Sequence, residues 1–378
     1  MIRLTPGLRR GTMDVPVSKS HAHRVLVAEF LAGRTALLSP SPDDCDDICA
    51  TKRCLLALNA GSSTGATTLD CGESGTTRRL LGPVVAALGV RPNWVMKGRL
   101  ASRPQIDYLT LTSGVHELSG DVSSQFVSGL LFALPLLAGD SEIRLTSPLA
   151  SRGYIDMTRG VLQAYGVRVE EATTGFRVAG GQRYRAPVTE PRIETDWSGA
   201  AFPLALRALG NEIRLADSCV AGLMETSLQP DRAVVGFLRS FARSGEVAID
   251  IDGSPDLFPV LAVVAAKRDG NTRFTGIRRL RLKESDRVAA MADVLRRFGV
   301  ETAVSESEFF VRGRKDPLAG GAFRSFADHR IAMSIAVGAT VAGSTVEIDD
   351  IACAAKSYPG FFGQFQSASL IDAMRMAN

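Results

Sequence analysis

Six segments of this chain repeat one pattern, in which a short polar cluster opens an apolar run that closes near a glycine. They are SKSHAHRVLVAEFLAG from Ser18, CGESGTTRRLLGPVVAALG from Cys71, SSQFVSGLLFALPLLAG from Ser123, DWSGAAFPLALRALG from Asp196, PDLFPVLAVVAAKRDG from Pro255 and DHRIAMSIAVGATVAG from Asp328. Ser and Asp are typical helix N-caps, and Gly is typical just beyond a helix C-terminus. We therefore predict six helices that are mostly apolar and largely buried.

Short alternating strands are predicted between these helices, in EIRLTSP, GVRVEEA, EVAIDIDG, EFFVRG and STVEIDD. Six β-rich units, each with one buried helix, indicate an internally repeated α/β fold. A chain of 378 residues is long enough for two domains of three units each. The predicted join is the stretch from Gly180 to Asp196, which has two prolines and no apolar period.

Composition excludes several classes of protein. A net charge of +4 and 6% aromatic residues argue against a nucleic-acid binder, which concentrates more cations and more stacking surface. The six cysteines form no CxxC pair, so a zinc knuckle is not indicated and core thiols are expected. The sequence has no apolar run of membrane-spanning length and opens without a signal-like apolar region, so a cytoplasmic protein is expected.

The starts of the predicted helices are natural anion sites, because free N–H groups and the helix dipole point out of them. In the first segment we expect Ser20 to cap the helix, with Lys19 just before it and Arg24 one turn along the same face. Two cations and a hydroxyl at a helix start suit a phosphate or a carboxylate. A solvated helix face is an equally good interpretation of this segment alone.

A second candidate is the run from Gly72 to Arg79, where two glycines allow close backbone approach and hydroxyls and cations favour anions. It matches neither nucleotide-loop pattern. Further donors follow at Arg103, Ser123, Ser124, Gln125, Ser151 and Tyr154.

The last third carries carboxylates as well as cations. In RLKESDR, a helix would place Lys283 and Arg287 four residues apart on one face, with Glu284 and Asp286 offsetting their repulsion. A salt-bridged surface helix remains an alternative interpretation. Asp256, at a predicted helix start, is a carboxylate suited to accepting a proton.

The order of these motifs carries a resemblance. SKSHAHR, ESGTTRR, SRP, SSQ, SRGYID, PDLFP, RLRLKESDR, DHRIAM and KSYPGFF follow one another from about Ser18 to Phe362. As a set they resemble the 5-enolpyruvylshikimate-3-phosphate synthase family of enolpyruvyl transferases, whereas each piece alone is a weak signal.

The resemblance implies an enolpyruvyl transferase-like inside-out α/β barrel of two domains, each with three βαβαββ-type units, and a substrate cleft between them. It places residues 18–193 in an N-terminal domain that holds the phosphorylated alcohol and part of the phosphoenolpyruvate site. It places residues 1–17 and 194–378 in a C-terminal domain with the catalytic carboxylates and the remaining phosphoenolpyruvate cations.

The implied reaction joins phosphoenolpyruvate to the 5-hydroxyl of shikimate 3-phosphate and releases phosphate, with no cofactor and no metal. By the same resemblance the proton-transfer residues are Asp256, Glu284 and Lys19. The phosphoenolpyruvate-binding residues are Lys19, Gly75, Arg103, Gln125, Arg287, Arg330 and Lys356. The shikimate 3-phosphate-binding residues are Ser20, Arg24, Ser123, Ser124, Gln125, Ser151, Tyr154, Asp256 and Lys283. The only expected partners are these small molecules, with no nucleic acid and no membrane, and the expected state is a monomer.

The chain also departs from the family. It is shorter, in particular near 105–122 and 235–254, Glu73 stands where many members have Asn, and Gly153 stands where many have Pro. A shortened paralogue acting on another alcohol therefore stays open as an alternative. The sister enzyme acting on UDP-N-acetylglucosamine carries a Cys in the loop before the Arg-Pro motif, which WVMKGRLASRP lacks. A non-catalytic protein that binds anions or RNA ends is the remaining alternative.

Overall fold

A computed structural model describes residues 1–61 and 67–371, and these form a mixed α/β structure. The described strands are Ile2–Leu4 (β1), Arg9–Met13 (β2), Thr68–Gly72 (β3), Asn93–Met96 (β4), Gly114–Leu118 (β5), Ser141–Leu145 (β6), Glu170–Ala172 (β7), Gly175–Val178 (β8), Glu212–Leu215 (β9), Val247–Asp250 (β10), Asn271–Thr275 (β11), Thr302–Val304 (β12), Glu308–Arg312 (β13), Gly321–Phe323 (β14), Val346–Ile348 (β15) and Ser369–Leu370 (β16). The described α-helices are Lys19–Leu31 (α1), Asp46–Ala60 (α2), Gly75–Ala87 (α3), Ser124–Ala133 (α4), Arg152–Ala164 (α5), Trp197–Ala208 (α6), Asp217–Val220 (α7), Val234–Phe241 (α8), Phe258–Ala265 (α9), Arg287–Arg297 (α10), His329–Ala339 (α11) and Phe361–Ser367 (α12).

The chain divides into two compact units, each with a hydrophobic core of its own. Unit 1 consists of Met1–Ser18, Glu194–Ser227 and Asp231–Asn378, and unit 2 consists of Lys19–Ile193 and Leu228–Pro230. The stretch predicted as the join, 180–196, contains neither helix nor strand apart from an isolated bridge between Thr195 and Val17. The first long crossing from unit 2 to unit 1 falls inside that stretch.

Two sheets show the repetition that the sequence predicts. The strand order is β5-β6-β8-β7 in unit 2 and β10-β11-β13-β12 in unit 1. In both sheets the first two strands are parallel, the third is antiparallel to its neighbour, and the last two form an antiparallel pair. The intervening helices are α4 and α5 in one and α9 and α10 in the other, so both follow the order βαβαββ. Every sheet of the described residues is open, with two edge strands.

The sheet beside the predicted shortened segment is the smallest of the described sheets. It contains β3 and β4 alone, which pair in parallel around α3. After β4 the chain passes through a short 3₁₀ helix at Gly98–Ser102 and reaches β5 without another helix or strand. The βα repeat that contains β3 and β4 therefore lacks the antiparallel strand pair that completes each of the two four-stranded sheets.

All six predicted buried helices are present, as α1, α3, α4, α6, α9 and α11. Side-chain caps close the starts of α3, α4, α6 and α11, at Ser74, Ser123, Asp196 and Asp328. The start of α9 is a 3₁₀ turn, Pro255–Leu257, which contains Asp256. Among the residues that the structure describes, no helix combines the length and the hydropathy that crossing a bilayer requires.

The predicted start of the first helix is wrong by about one residue. Helix α1 begins at Lys19, so Lys19 belongs to its first turn and Ser20 is not its cap. The reason lies just upstream, where the bridge at Val17 and a 2.7 Å hydrogen bond from the Ser18 N–H to the Glu194 carbonyl end the extended segment.

The predicted helix through RLKESDR is also wrong. A 3₁₀ helix, Arg278–Leu282, stops before Lys283, and α10 begins only at Arg287. The break arises because the Asp286 side chain caps α10, accepting hydrogen bonds from the next helical N–H groups at 3.1 and 3.0 Å. The surface-helix interpretation fails with it, since Arg287 is buried.

Gly153 has a packing explanation. A Cβ at this position would lie 2.7 Å from Cγ of Pro230, which belongs to the short segment of unit 2 that follows Ser227. Real Cβ atoms do not approach a neighbour that closely, so no larger residue fits while Pro230 stays in place. The departure from proline at Gly153 thus matches the path of this segment.

Candidate active site

Unit 1 gathers three carboxylates and three cations that we call the carboxylate cluster: Asp256, Glu284, Asp328, Lys283, Arg287 and Arg330. Asp256 accepts from Arg287 Nη1 at 2.7 Å and from Lys283 Nζ at 3.3 Å through one oxygen, and its other oxygen lies 3.8 Å from Arg330 Nη2. The 3₁₀ turn before α9, the loop before α10 and the start of α11 supply these side chains. Three separate sequence motifs, PDLFP, RLRLKESDR and DHRIAM, therefore meet in this cluster.

Electrostatics set the charge state of Asp256. Burial raises the pKa of its carboxyl, but Lys283, Arg287 and Arg330 outweigh burial and hold that pKa well below its usual range. Burial also lowers the pKa of Lys283, against the opposing effect of Asp256. The Asp256 side chain is 21% exposed, so this anion remains reachable.

Arg287 is the centre of the cluster and is 1% exposed. Its Nε and Nη2 contact Asp328 at 2.9 and 3.3 Å, its Nη1 contacts Asp256, and its Nη2 reaches Glu284 Oε2 at 2.9 Å. Burial lowers the pKa of this guanidinium, but the three carboxylates outweigh it and raise the pKa well above the ordinary value. Arg287 therefore stays charged and fixes the separation of Asp256 and Glu284.

Arg330 is the second residue of α11. Its Nη1 donates to the Ser198 carbonyl at 2.8 Å, and the guanidinium lies 5.8 Å from the Phe202 ring centroid. Within the described residues its buried Nε has no hydrogen-bond partner. A buried donor without a partner is costly, and an incoming anion would satisfy it.

Lys356 is buried in the same unit, at the end of the 3₁₀ helix Ala352–Lys356. Its assignment to phosphoenolpyruvate stays a prediction.

Unit 2 surrounds a buried cation with neutral groups, and we call this arrangement the arginine cage: Arg24 with Ser20, Ser128, Tyr154 and Thr158. Arg24 donates to Thr158 Oγ1 at 2.8 Å, to Ser128 Oγ at 3.4 Å, and to the carbonyls of Ser20 and Tyr154 at 2.7 and 3.2 Å. None of its partners in the described residues is a carboxylate. Burial lowers the pKa of the guanidinium to about 10, so Arg24 keeps its charge at neutral pH.

The glycine loop of unit 2 is packed against guanidinium groups. A Cβ on Gly75 would lie 3.3 Å from Arg103 Nη1 and 3.5 Å from Arg79 Nη1. Ser74 caps α3 by accepting from the Thr77 N–H, and the other N–H groups of a first helical turn have no partner inside the helix. A helix start, a residue without a side chain and two guanidinium groups together suit a small anion.

The SSQ motif reaches the same helix start. Gln125 donates from Nε2 to Thr76 Oγ1 at 2.8 Å, and its Oε1 accepts from Arg79 Nη1 at 2.8 Å. Ser123 caps α4 by accepting from the Gln125 N–H, and Ser124 is buried in its first turn. Gln125 and Gly75, far apart in sequence, thus share Arg79 as a neighbour, and their assignment to one site stays a prediction.

Two further predicted residues have distinctive settings in unit 2. Lys19 pairs with Asp47 at 2.9 Å, and both side chains are largely buried. Ser151, at the start of α5, adopts left-handed backbone angles of 53° and 49°, which cost a non-glycine residue about 1–2 kcal/mol. Strain of this kind concentrates at binding sites.

Several residues that build these sites were not predicted from the sequence. They are Asp47, Ser128 and Thr158 in unit 2 and Ser285 and Asp328 in unit 1. Ser128 carries a readable signal, because it is a polar residue inside the apolar run of α4. Asp47 carries none, since neighbouring acidic residues obscure it.

Comparisons with known proteins agree on one family. The profile described as EPSP synthase (3-phosphoshikimate 1-carboxyvinyltransferase) matches residues 101–365. A 3-phosphoshikimate 1-carboxyvinyltransferase of Clostridium kluyveri is 34% identical over 97% of this chain and 96% of the relative, and one of Methanocorpusculum labreanum is 34% identical over 94% and 95%. An EPSP synthase structure from Acinetobacter baumannii matches with a TM-score of 0.75 and 22% identity, covering 97% of this chain and 98% of the other, which supports the fold.

The same alignments bear on chain length. The match to the Clostridium kluyveri relative extends over 420 positions, although this chain has 378 residues, so some positions of the relative have no counterpart here.

Proposed function

Because the chain belongs to the EPSP synthase family, we propose that it transfers the carboxyvinyl group of phosphoenolpyruvate to the 5-hydroxyl of shikimate 3-phosphate and releases phosphate. The relatives that match nearly the whole chain are named for this transfer. The product of this step leads toward chorismate and the aromatic amino acids.

The observation that carries the proposal is the setting of Asp256, a reachable carboxylate held by three cations, with Glu284 bound to the same arginine. Phosphoenolpyruvate bears a phosphate and a carboxylate, so its site requires several cations in a space poor in water. Its addition reaction also needs a base and an acid. A cluster with both kinds of group suits this chemistry better than a passive anion site does.

We assign the proton transfers to the two carboxylates of the cluster. The alcohol oxygen attacks C2 of phosphoenolpyruvate while Asp256 accepts the hydroxyl proton, and Glu284 supplies a proton to C3. The tetrahedral adduct then expels phosphate, and the Glu284 carboxylate takes a proton back from C3, which restores the double bond. When the anionic substrate neutralises Lys283 and Arg330, the pKa of Asp256 rises toward a useful range for a base.

We assign the binding residues as the resemblance implies. In unit 2 the arginine cage, with Ser123, Ser124 and Ser151, would hold the phosphorylated alcohol. The cations beside Gly75 would hold phosphoenolpyruvate, together with Lys19. In unit 1, Arg330 is the strongest candidate for phosphoenolpyruvate, because its Nε still lacks a partner in the described residues.

One observation favours the alternative function, in which the enzyme acts on an alcohol other than shikimate 3-phosphate. The β3–β4 sheet lacks the antiparallel pair found in the two four-stranded sheets, and relatives contain positions that this chain lacks. The absence of any Cys between Cys71 and Cys219 argues against the UDP-N-acetylglucosamine reaction. We further propose that the enzyme is a monomer and acts in the cytoplasm, which light scattering and cell fractionation would test.

A phosphate-release assay with the purified chain tests the proposal. With phosphoenolpyruvate and shikimate 3-phosphate together, we expect saturable phosphate release and a product whose mass corresponds to the carboxyvinyl ether. Each substrate alone should release none. Release only with a different alcohol from a panel would identify the paralogue, and no release with any alcohol would refute a transferase.

A further inference from the structure

Asp328 is completely buried in unit 1 and binds the centre of the carboxylate cluster from the side opposite Asp256 and Glu284. Its two oxygens accept from Arg287 Nε at 2.9 Å and Nη2 at 3.3 Å, which forms a bidentate pair along one edge of the guanidinium. The other edge then faces Asp256 and Glu284. Bidentate pairing of this kind fixes the plane of the arginine as well as its position.

The same carboxylate also holds both helices that deliver the cations. Asp328 Oδ1 accepts from the Arg330 N–H at 3.0 Å and thereby caps α11, while Oδ2 accepts from Ser285 Oγ at 2.9 Å in the loop before α10. Its acceptor sites are therefore filled by four donors, which lie in the loop before α10, at the start of α10 and at the start of α11. A shift of Asp328 would move the starts of α10 and α11 together.

The backbone before Asp328 is strained. Phe326 and Ala327 both adopt positive φ angles, 56° and 52°, although neither is glycine. Left-handed backbone is unfavourable for a residue that carries a Cβ. Ser325 holds this turn, since its carbonyl accepts from the Asp328 N–H at 3.0 Å and its hydroxyl from the Ala327 N–H at 3.3 Å. Backbone strain of this kind persists mainly at functional sites, where the strained turn positions a residue that is needed there. The residue that this turn positions is Asp328.

We propose that Asp328 is a positioning residue, which sets the plane of the Arg287 guanidinium so that its opposite edge holds Asp256 and Glu284 at their working separation. This inference rests on the proposed function. It gives a role to Asp328, to which the family resemblance assigns none. Asp328 does not itself contact substrate in this assignment. It acts through Arg287 and through the start of α11.

The main test replaces Asp328 by Asn, which preserves size and the capping oxygen but removes the charged acceptor for Arg287. We expect kcat/KM for phosphoenolpyruvate to fall about 100-fold, the scale of a misplacement near 1 Å. The dissociation constant of shikimate 3-phosphate should stay within about twofold, because unit 2 carries the arginine cage. The matched control is Asp286→Asn, another capping Asp beside Arg287, which should retain activity within about threefold.

A second comparison separates positioning from general stability. In an Arg287→Lys background the bidentate pair with Asp328 is already lost. Adding Asp328→Asn to that background should therefore lower kcat/KM for phosphoenolpyruvate by less than about threefold. An equal 100-fold loss in both backgrounds would show that Asp328 acts independently of Arg287, and it would overturn the proposal.

Ser285→Ala covers the case in which the Asp328 variant does not fold. It removes one hydrogen bond to Oδ2 and should lower kcat/KM for phosphoenolpyruvate about fivefold, with only a small decrease in the unfolding temperature. Wild-type turnover in either of these two variants, alongside an active wild-type enzyme, would refute the positioning role. Absence of phosphate release from the wild type itself would instead refute the proposed function.

Discussion

The two units treat a buried arginine in opposite ways. Arg24 in unit 2 is surrounded by hydroxyls and carbonyls, and burial lowers its pKa to about 10. Arg287 in unit 1 is surrounded by three carboxylates, which raise its pKa well above the ordinary value. A cation without a counter-charge is prepared to receive an anion, whereas a cation saturated by carboxylates is prepared to position them. The comparison separates a binding task from a chemical task.

The largest expected effect tests the chemical side of this comparison. Replacing Asp256 with Asn should lower kcat about a thousandfold, within the range of a lost general base, because the amide cannot accept the proton. Affinity for shikimate 3-phosphate, measured by calorimetry, should fall far less than turnover.

Asp252→Asn is the matched control, because Asp252 also pairs with an arginine, Arg279, at 3.0 Å in the same unit. Its turnover should remain near the wild-type value. Equal losses of turnover in the two variants would mean that the rate depends on ion pairing in unit 1 in general. Proton transfer at Asp256 would then not be the cause of the loss.

The next effect tests the binding side. Replacing Arg24 with Met should weaken shikimate 3-phosphate binding about 50-fold, the scale of charged hydrogen bonds lost to a ligand. Thermal stability should change little, because the buried charge that is removed has no carboxylate partner in the described residues.

Arg268 provides a demanding control for that experiment. It is also buried among neutral acceptors, but these are the carbonyls and hydroxyl of Phe241, Arg243, Gly245, Asn271 and Thr272, which close the loops around β10 and β11. Arg268→Met should lower the unfolding temperature and leave affinity unchanged. If Arg24→Met behaved in the same way, neutral surroundings would not distinguish a binding arginine from a structural one.

A smaller effect concerns the glycine loop of unit 2. A methyl group on Gly75 would lie 3.3 Å from Arg103 Nη1, so the guanidinium must shift by a few tenths of an ångström. We expect Gly75→Ala to raise KM for phosphoenolpyruvate about fivefold, or about 1 kcal/mol, with a nearly unchanged kcat. Gly236→Ala in α8, where a Cβ meets nothing within 4 Å, is the control. An unchanged KM would remove Gly75 from the phosphoenolpyruvate site.

The sequence predicts the helices better than the sites. Apolar runs with caps at Ser74, Ser123, Asp196 and Asp328 are local signals, and each helix is present. The break before Arg287 was missed because a pattern of charges at i and i+4 also occurs by chance, and the Asp286 cap overrides it. Three of the four partners of Arg24 come from α4 and α5, over a hundred residues away, and only tertiary structure brings them together.

The smallest expected effect is the pH dependence of stability. The pKa of Asp256 is depressed in the folded chain, so its ionised form stabilises the fold above the unfolded pKa of about 3.9, and this contribution is lost as pH falls through the folded pKa. Asp256→Asn should therefore reduce the free energy of unfolding by about 1–3 kcal/mol at pH 7. Denaturant titrations should show the difference shrinking below about pH 4. Arg24 has no carboxylate partner among the described residues, so Arg24→Met should show no such convergence with the wild type in acid. If the unfolding free energies of both variants, or of neither, approached the wild-type value in acid, the environments of Arg287 and Arg24 would not differ in their carboxylate content as proposed.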